Sequence, residues 1–174
     1  MSPYELVLVI VNSVVAATLV QAGLSKVVTP GQLRQALTEV GVPPSAASYG
    51  AVRGYAGIEC LAGVALLLAV TRPVGIVLVA TTGLAITALG LLGLLRGSAQ
   101  PCGCLGDPDG RPLGLPNVVI GVALVAAAVV NTALPTPADP ISVLGAALAL
   151  LVLCLYVNRS WTWPLIRLDR GPSL

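Results

Sequence analysis

The sequence predicts an all-α, polytopic membrane helical bundle. Two observations carry that expectation. Hydrophobic residues fill 56% of the 174 positions and charged residues only 9%, whereas about a quarter of a soluble domain is charged. So few charges cannot cover a water-facing surface, but they suit a lipid-facing one. The apolar residues are also gathered into five runs, each close to the ~20 residues that a helix needs to cross a hydrocarbon core.

The first run covers residues 6–28. It has no basic leader and is too long for the apolar region of a signal peptide, so it is expected to stay in the mature chain as a helix. The second and third cover residues 50–70 and 74–95, the fourth 117–134 and the fifth 141–158. Pro135, Pro137 and Pro140 keep the last two from forming one long helix. Between the first two runs, Thr29-Pro30-Gly31-Gln32 reads as a helix start, with Thr29 as cap, Pro30 in the first turn and Gln32 completing a capping box. Leu33, Leu37 and Val40 follow at helical spacing, while Arg34, Gln35 and Glu39 are polar. This predicts an amphipathic helix over 30–41, lying on the membrane surface or packed on the bundle. The chain reads as a single membrane domain over residues 1–174.

In the third run, Gly83, Gly90 and Gly97 recur every seven residues, and Gly75 and Gly93 add to the stripe. Small residues let helix backbones approach closely, and packing within the bundle is the expected use. Tyr4, Tyr49, Tyr156, Trp161 and Trp163 fall near predicted helix ends, as interfacial anchors do. With five spans, one face carries Lys26, Arg34, Arg53, Arg96, Arg111, Arg159, Arg167 and Arg170, and the other only Arg72. The positive-inside rule puts the first face, and the C-terminus, in the cytoplasm.

Histidine is absent, which removes histidine acid–base catalysis and ordinary zinc sites. A net charge of +2 offers no footprint for nucleic acid. The loop over 97–116 holds Pro101-Cys102-Gly103-Cys104-Leu105-Gly106. Two thiols one residue apart at a membrane face can exchange with an external disulfide through a mixed intermediate, and Gly103 supplies the backbone freedom that a small ring would need. Binding of a soft metal and a purely structural loop are the competing uses. No metal or other cofactor is expected. Asp107-Pro108-Asp109-Gly110 lacks the downstream ligands of a calcium loop and reads as a turn. Cys60 and Cys154 lie inside spans, where thiols behave as small apolar residues. Glu59 stands at the centre of the second span, and an intramembrane carboxylate is a functional-site candidate by default. Gln21 and Lys26, late in the first span, are its expected polar partners.

Together these residues resemble the MauE/DoxX group of redox-associated membrane proteins. The likeness rests on Ala22-Gly23-Leu24-Ser25-Lys26 ending the first span, on Glu59 followed by Gly63 and Leu66-Leu67-Leu68, and on the Cys102-Gly103-Cys104-Leu105-Gly106 loop followed by Asn117. It covers roughly residues 5–134. Leu105 stands where the group usually has Phe, and Pro116 where it usually has Arg. The resemblance implies a four-helix core, to which the last span is added as a fifth transmembrane helix. It also implies an accessory role in maturing disulfide-bonded exported proteins, as in methylamine dehydrogenase biogenesis, alongside a thioredoxin-like protein. Cys102 and Cys104 would then be the exchanging thiols, with Glu59, Lys26 and Gln21 as the buried polar network.

The expected setting is the lipid bilayer of the cell (plasma) membrane, crossed several times. Disulfide maturation takes place outside, whereas the cation count puts the loop inside. Electron transfer across the membrane, or the opposite orientation, would reconcile the two. A non-enzymatic subunit or assembly factor of a larger membrane complex is the alternative function, and a transporter built around Glu59 a third.

Overall fold

The computed structural model describes residues 3–102, 112–135 and 140–157. Cys104, the turn at Asp107–Gly110, Arg111, Arg159, Arg167, Arg170, Trp161 and Trp163 lie outside these residues. The described chain forms six helices: α1 (Pro3–Val28), α2 (Pro30–Glu39), α3 (Tyr49–Leu67), α4 (Arg72–Arg96), α5 (Leu115–Ala133) and α6 (Pro140–Val157). Among the described residues four helices, α1, α3, α4 and α5, are long and apolar enough to cross a membrane. At 1.5 Å per residue, the shortest of them reach about 28 Å, against a hydrocarbon core of about 30 Å. The protein is therefore a multi-pass, all-α membrane protein. A helix, α6, also stands where the fifth span was expected, and it packs along α1. One bond in that contact comes from the Ser13 hydroxyl, which lies 3.0 Å from the carbonyl of Ala147.

Local chemistry explains the breaks. Ser48 caps α3 by accepting from the Ala51 amide at 3.2 Å. Arg72-Pro73 and Leu115-Pro116 open α4 and α5 with proline in the first turn, where its missing N–H is no loss. Thr29 does not cap α2 as expected. Its backbone N–H and its hydroxyl both turn back to the Ser25 carbonyl, at 2.8 and 2.9 Å. α1 runs into α2 with so little interruption that the threonine finishes the first helix instead of starting the second.

The glycines of α4 serve the bundle. A Cβ on Gly83 would lie 2.7 Å from the Gly121 carbonyl oxygen, and one on Gly121 would lie 2.5 Å from that of Gly83. The two backbones thus cross in contact. Gly97 departs from the stripe: it meets nothing within 4 Å and, at φ 65°, ends α4 in the left-handed conformation that glycine adopts without strain.

α2 lies across one end of the bundle. Its Leu33, Ala36 and Leu37 are buried with Val52 of α3, Leu113 and Cys102, so it is packed on the bundle, while Arg34, Gln35 and Glu39 stay exposed. The Arg34 guanidinium sits 4.7 Å from the centre of the Tyr49 ring. The opposite end holds a polar network that the sequence reading missed. Asn131 of α5 donates to Asn12 of α1 at 2.7 Å, and Asn12 donates to the Leu66 carbonyl of α3 at 3.4 Å. Arg72 donates to the Asn131 side chain at 3.2 Å and to the carbonyls of Asn131, Leu134 and Pro135 at 2.6, 3.0 and 3.1 Å. These carbonyls lie at and just beyond the C-terminal end of α5, where helical partners run out, and a cation there also complements the negative end of the helix dipole.

Candidate functional site

At the α2 end, the buried cation and the buried acid meet. Lys26, on the last turn of α1, places its Nζ 2.9 and 2.7 Å from the two carboxylate oxygens of Glu59 on α3. Lys26 is 3% exposed and Glu59 is fully buried. The close approach that makes this possible is set at Gly23, where a Cβ would lie 2.7 Å from the Ala56 carbonyl oxygen. Glu59 thus faces the bundle interior, with Lys26 as its partner. Gln21 is half-buried and makes no hydrogen bond to the pair among the described residues. The Lys26 ammonium also lies 5.6 Å from the centre of the Tyr55 ring, inside cation–π range.

Three of the four cysteines lie among the described residues. Cys60 and Cys154 are free and half-buried within helices. Cys102 is disulfide-bonded. It is not at the surface, however, but 1% exposed within the apolar cluster under α2. Asn117 approaches its Sγ with the side-chain amide at 3.9 Å, while the Asn117 oxygen accepts from the Gly114 amide at 3.3 Å. Asn117 therefore joins the start of α5 to the sulfur.

The loop carrying Cys102 is tied down at its base. Pro101 and Pro112 pair as an antiparallel bridge. Glu39, at the end of α2, accepts from the Ser98 hydroxyl at 2.6 Å and from the amides of Ala99 and Gln100 at 3.1 and 3.2 Å. Arg96 donates to the Val40 carbonyl, so it is engaged with α2. The Ser98 hydroxyl, and after it the Ala99 amide, hold the Glu39 carboxyl below the ordinary carboxylate range. A depressed value in the folded state means that the anchorage is complete above the unfolded value and is lost as pH falls through the folded one. Acidification below about pH 4 is thus expected to lower the hydrogen-exchange protection of the Ala99 and Gln100 amides, and Glu39→Gln to lower it already at neutral pH. Unchanged protection in both experiments would show that the carboxylate does not anchor the loop.

Between the ion pair and Cys102 lies a cavity of about 390 Å³, lined by α2, α3, α4 and the start of α5. Its walls are mostly apolar, including Leu33, Leu37, Val52, Ile86, Leu89 and Leu113. Lys26, Glu59, Tyr55 and Asn117 supply its polar atoms. Glu59 and Lys26 are legible in the sequence because charge inside an apolar run is conspicuous. Tyr55, one more aromatic residue in the sequence, and the cavity itself are not.

The arrangement of Lys26, Glu59, the cysteine loop and Asn117 spans the segment that matches a known family, described as Methylamine utilisation protein MauE, over residues 4–134. The chain belongs to the MauE family. No curated protein and no solved structure matches it. The matched segment contains α1 through α5 almost entire, with the ion pair and the cysteine loop, and stops before α6. The MauE-family part is thus the four-helix core with α2, and α6 is an addition to it.

Proposed function

We propose that this MauE-family chain is a membrane thiol–disulfide redox accessory that supports the maturation of exported proteins, working with a thioredoxin-like partner through Cys102 and Cys104. The family's description ties it to methylamine utilisation, and a methylamine-oxidising enzyme with disulfides is the client class that this suggests. The observation that carries the proposal is the disulfide-bonded Cys102 at the bundle end, in a loop anchored by Glu39 and Asn117. A disulfide needed for fold alone would have little use here, because the helices around it are already joined by packing and by the Lys26–Glu59 pair. A thiolate of the partner would attack one sulfur, the other would leave, and the mixed disulfide would resolve by attack of the partner's second thiol.

The test is the double variant Cys102→Ser, Cys104→Ser, assayed for disulfide formation in the client. Loss of maturation, with the variant present at ordinary levels in the membrane, is the expected result. Normal maturation would turn the reading toward a non-enzymatic assembly factor of a larger membrane complex. Reduced protein in intact cells, treated with a membrane-impermeant maleimide, locates the loop. Protection agrees with the cation count and calls for a cytosolic thioredoxin-like partner, and labelling puts the loop on the side of the exported client.

A further inference from the structure

The cavity beside Cys102 has a polar atom without a use. The Tyr55 hydroxyl is buried and has no hydrogen-bond partner, and Tyr55 lines the cavity. Such a group is rare in a native interior, because it has lost its water and gained nothing in return. A ligand that brings an acceptor oxygen would satisfy it. At about 390 Å³ the space lies toward the lower end of small-molecule sites, which run from about 300 to 1,000 Å³. Ala46, in the α2–α3 connection, and Ala88 of α4 line the cavity and are exposed, so it opens sideways past an apolar helix face toward lipid. A ligand entering from there must itself be apolar. Leu113 and Asn117 line the cavity and also pack on Cys102, which sets the Cys102 sulfur one side chain's thickness from the ligand.

An apolar, membrane-soluble molecule with a ring carbonyl, held one residue from a redox-active sulfur, has an evident chemistry. We propose that this cavity holds the head group of an isoprenoid quinone, which accepts the electrons of the reduced Cys102–Cys104 pair. The inference rests on the redox reading above and supplies the oxidant that it lacks. In the step, two S–H bonds break and one S–S bond forms. Two electrons and two protons pass to the ring oxygens, and two O–H bonds turn quinone into quinol. Isoprenoid quinones have higher reduction potentials than protein dithiols, so the electrons run downhill. Tyr55 donates to one carbonyl oxygen. The Lys26–Glu59 pair closes the wall behind it, and the tail leaves past Ala88 into the bilayer.

The experiment uses the purified full chain in detergent and decylubiquinone as the probe. Binding is expected in the unaltered protein, about fivefold weaker in Tyr55→Phe, which loses one neutral hydrogen bond, and absent in Ala85→Trp, which fills the cavity from α4. Decylbenzene, with the same tail and no carbonyl, is expected not to displace it. After reduction and removal of the reductant, without oxygen, one decylubiquinone per chain should become quinol, and none in the double serine variant. Equal binding in all three proteins, displacement by decylbenzene, or binding without quinol formation would each overturn the proposal. Client maturation separates the two readings. A chain that reduces decylubiquinone yet matures no client removes the partner reading and leaves this one. Full maturation by Ala85→Trp does the reverse.

Discussion

Replacing Glu59 by Leu, or Lys26 by Met, is expected to lower folded stability sharply when either is made alone, and much less when both are made together. Each single change leaves the other charge buried in the α1–α3 interface without the opposite charge that compensates it there. Breaking a buried pair in this way costs about 3–5 kcal/mol, and the translocon scale for one charge at a span centre, about 2.5–3.5 kcal/mol, points the same way. The pair itself contributes much less than that, because its attraction mostly offsets the desolvation of two ions that would otherwise be hydrated. Two apolar side chains of similar length remove both the attraction and the desolvation, so the double variant should regain most of the loss. The measurement is the folded, detergent-soluble yield together with the thermal unfolding midpoint of the three variants. Equal, additive losses would mean that the two residues act independently, against the 2.7 and 2.9 Å contacts between them. A double variant that folds normally also isolates the chemistry. If it exchanges disulfides as the unaltered chain does, the pair is a structural clamp. If it folds and is inert, the charges act in the cavity that they line.

Why the bundle could be read from the sequence and the cavity could not follows from the range of the forces involved. Helices in lipid satisfy their own backbone groups, so a run of apolar residues ended by Pro, Gly or a capping serine declares a span locally. α1, α3, α4 and α5 each begin or end within a few residues of the hydrophobic runs for that reason. Glu59 and Lys26 stood out because a charge inside such a run must be compensated somewhere nearby in space. Asn12, Arg72 and Asn131 gave no comparable signal. Asn12 and Asn131 are 119 positions apart, and an asparagine near the end of an apolar run looks like an ordinary boundary residue. Arg72 was counted as a charge in a loop, yet it is consumed by the last carbonyls of α5. Lys26 is likewise neutralised inside the bundle. Removing both from the cation count leaves seven against none, so the asymmetry does not depend on them. The least legible feature was the depth of Cys102. A Gly/Pro-rich loop reads as exposed, but α2 folds over its first residues and Glu39 holds them there.

That depth makes the two cysteines unequal, and Cys104→Ser is expected to behave very differently from Cys102→Ser. With Cys102 1% exposed beneath Leu33, Ala36 and Leu37, a thiolate of a folded partner cannot reach its sulfur in line without first lifting α2. On the exchange proposed above, attack would therefore fall on the sulfur of Cys104, and Cys102 would be the leaving thiol, released beside Asn117. The amide of Asn117, already 3.9 Å from Cys102 Sγ, is then placed to stabilise the thiolate that leaves. In Cys102→Ser no disulfide remains for the partner to attack, but the Cys104 thiolate can open the disulfide of the oxidised partner, releasing one partner thiolate, and Cys102 is no longer there to resolve the product, so a mixed disulfide between Cys104 and the partner should accumulate and be visible as a reducible, higher-mass band. In Cys104→Ser the surviving thiol is the buried one, and the trapped species should be at least tenfold scarcer. Both single variants should be inactive in maturation, so the difference appears only in the trap. Weakening the cover sharpens the test: adding Glu39→Gln to Cys104→Ser loosens the loop at Ser98, Ala99 and Gln100 and should raise the yield of trapped complex through Cys102. Equal trapping by the two single variants would mean that α2 opens freely, and that the burial of Cys102 does not direct the exchange.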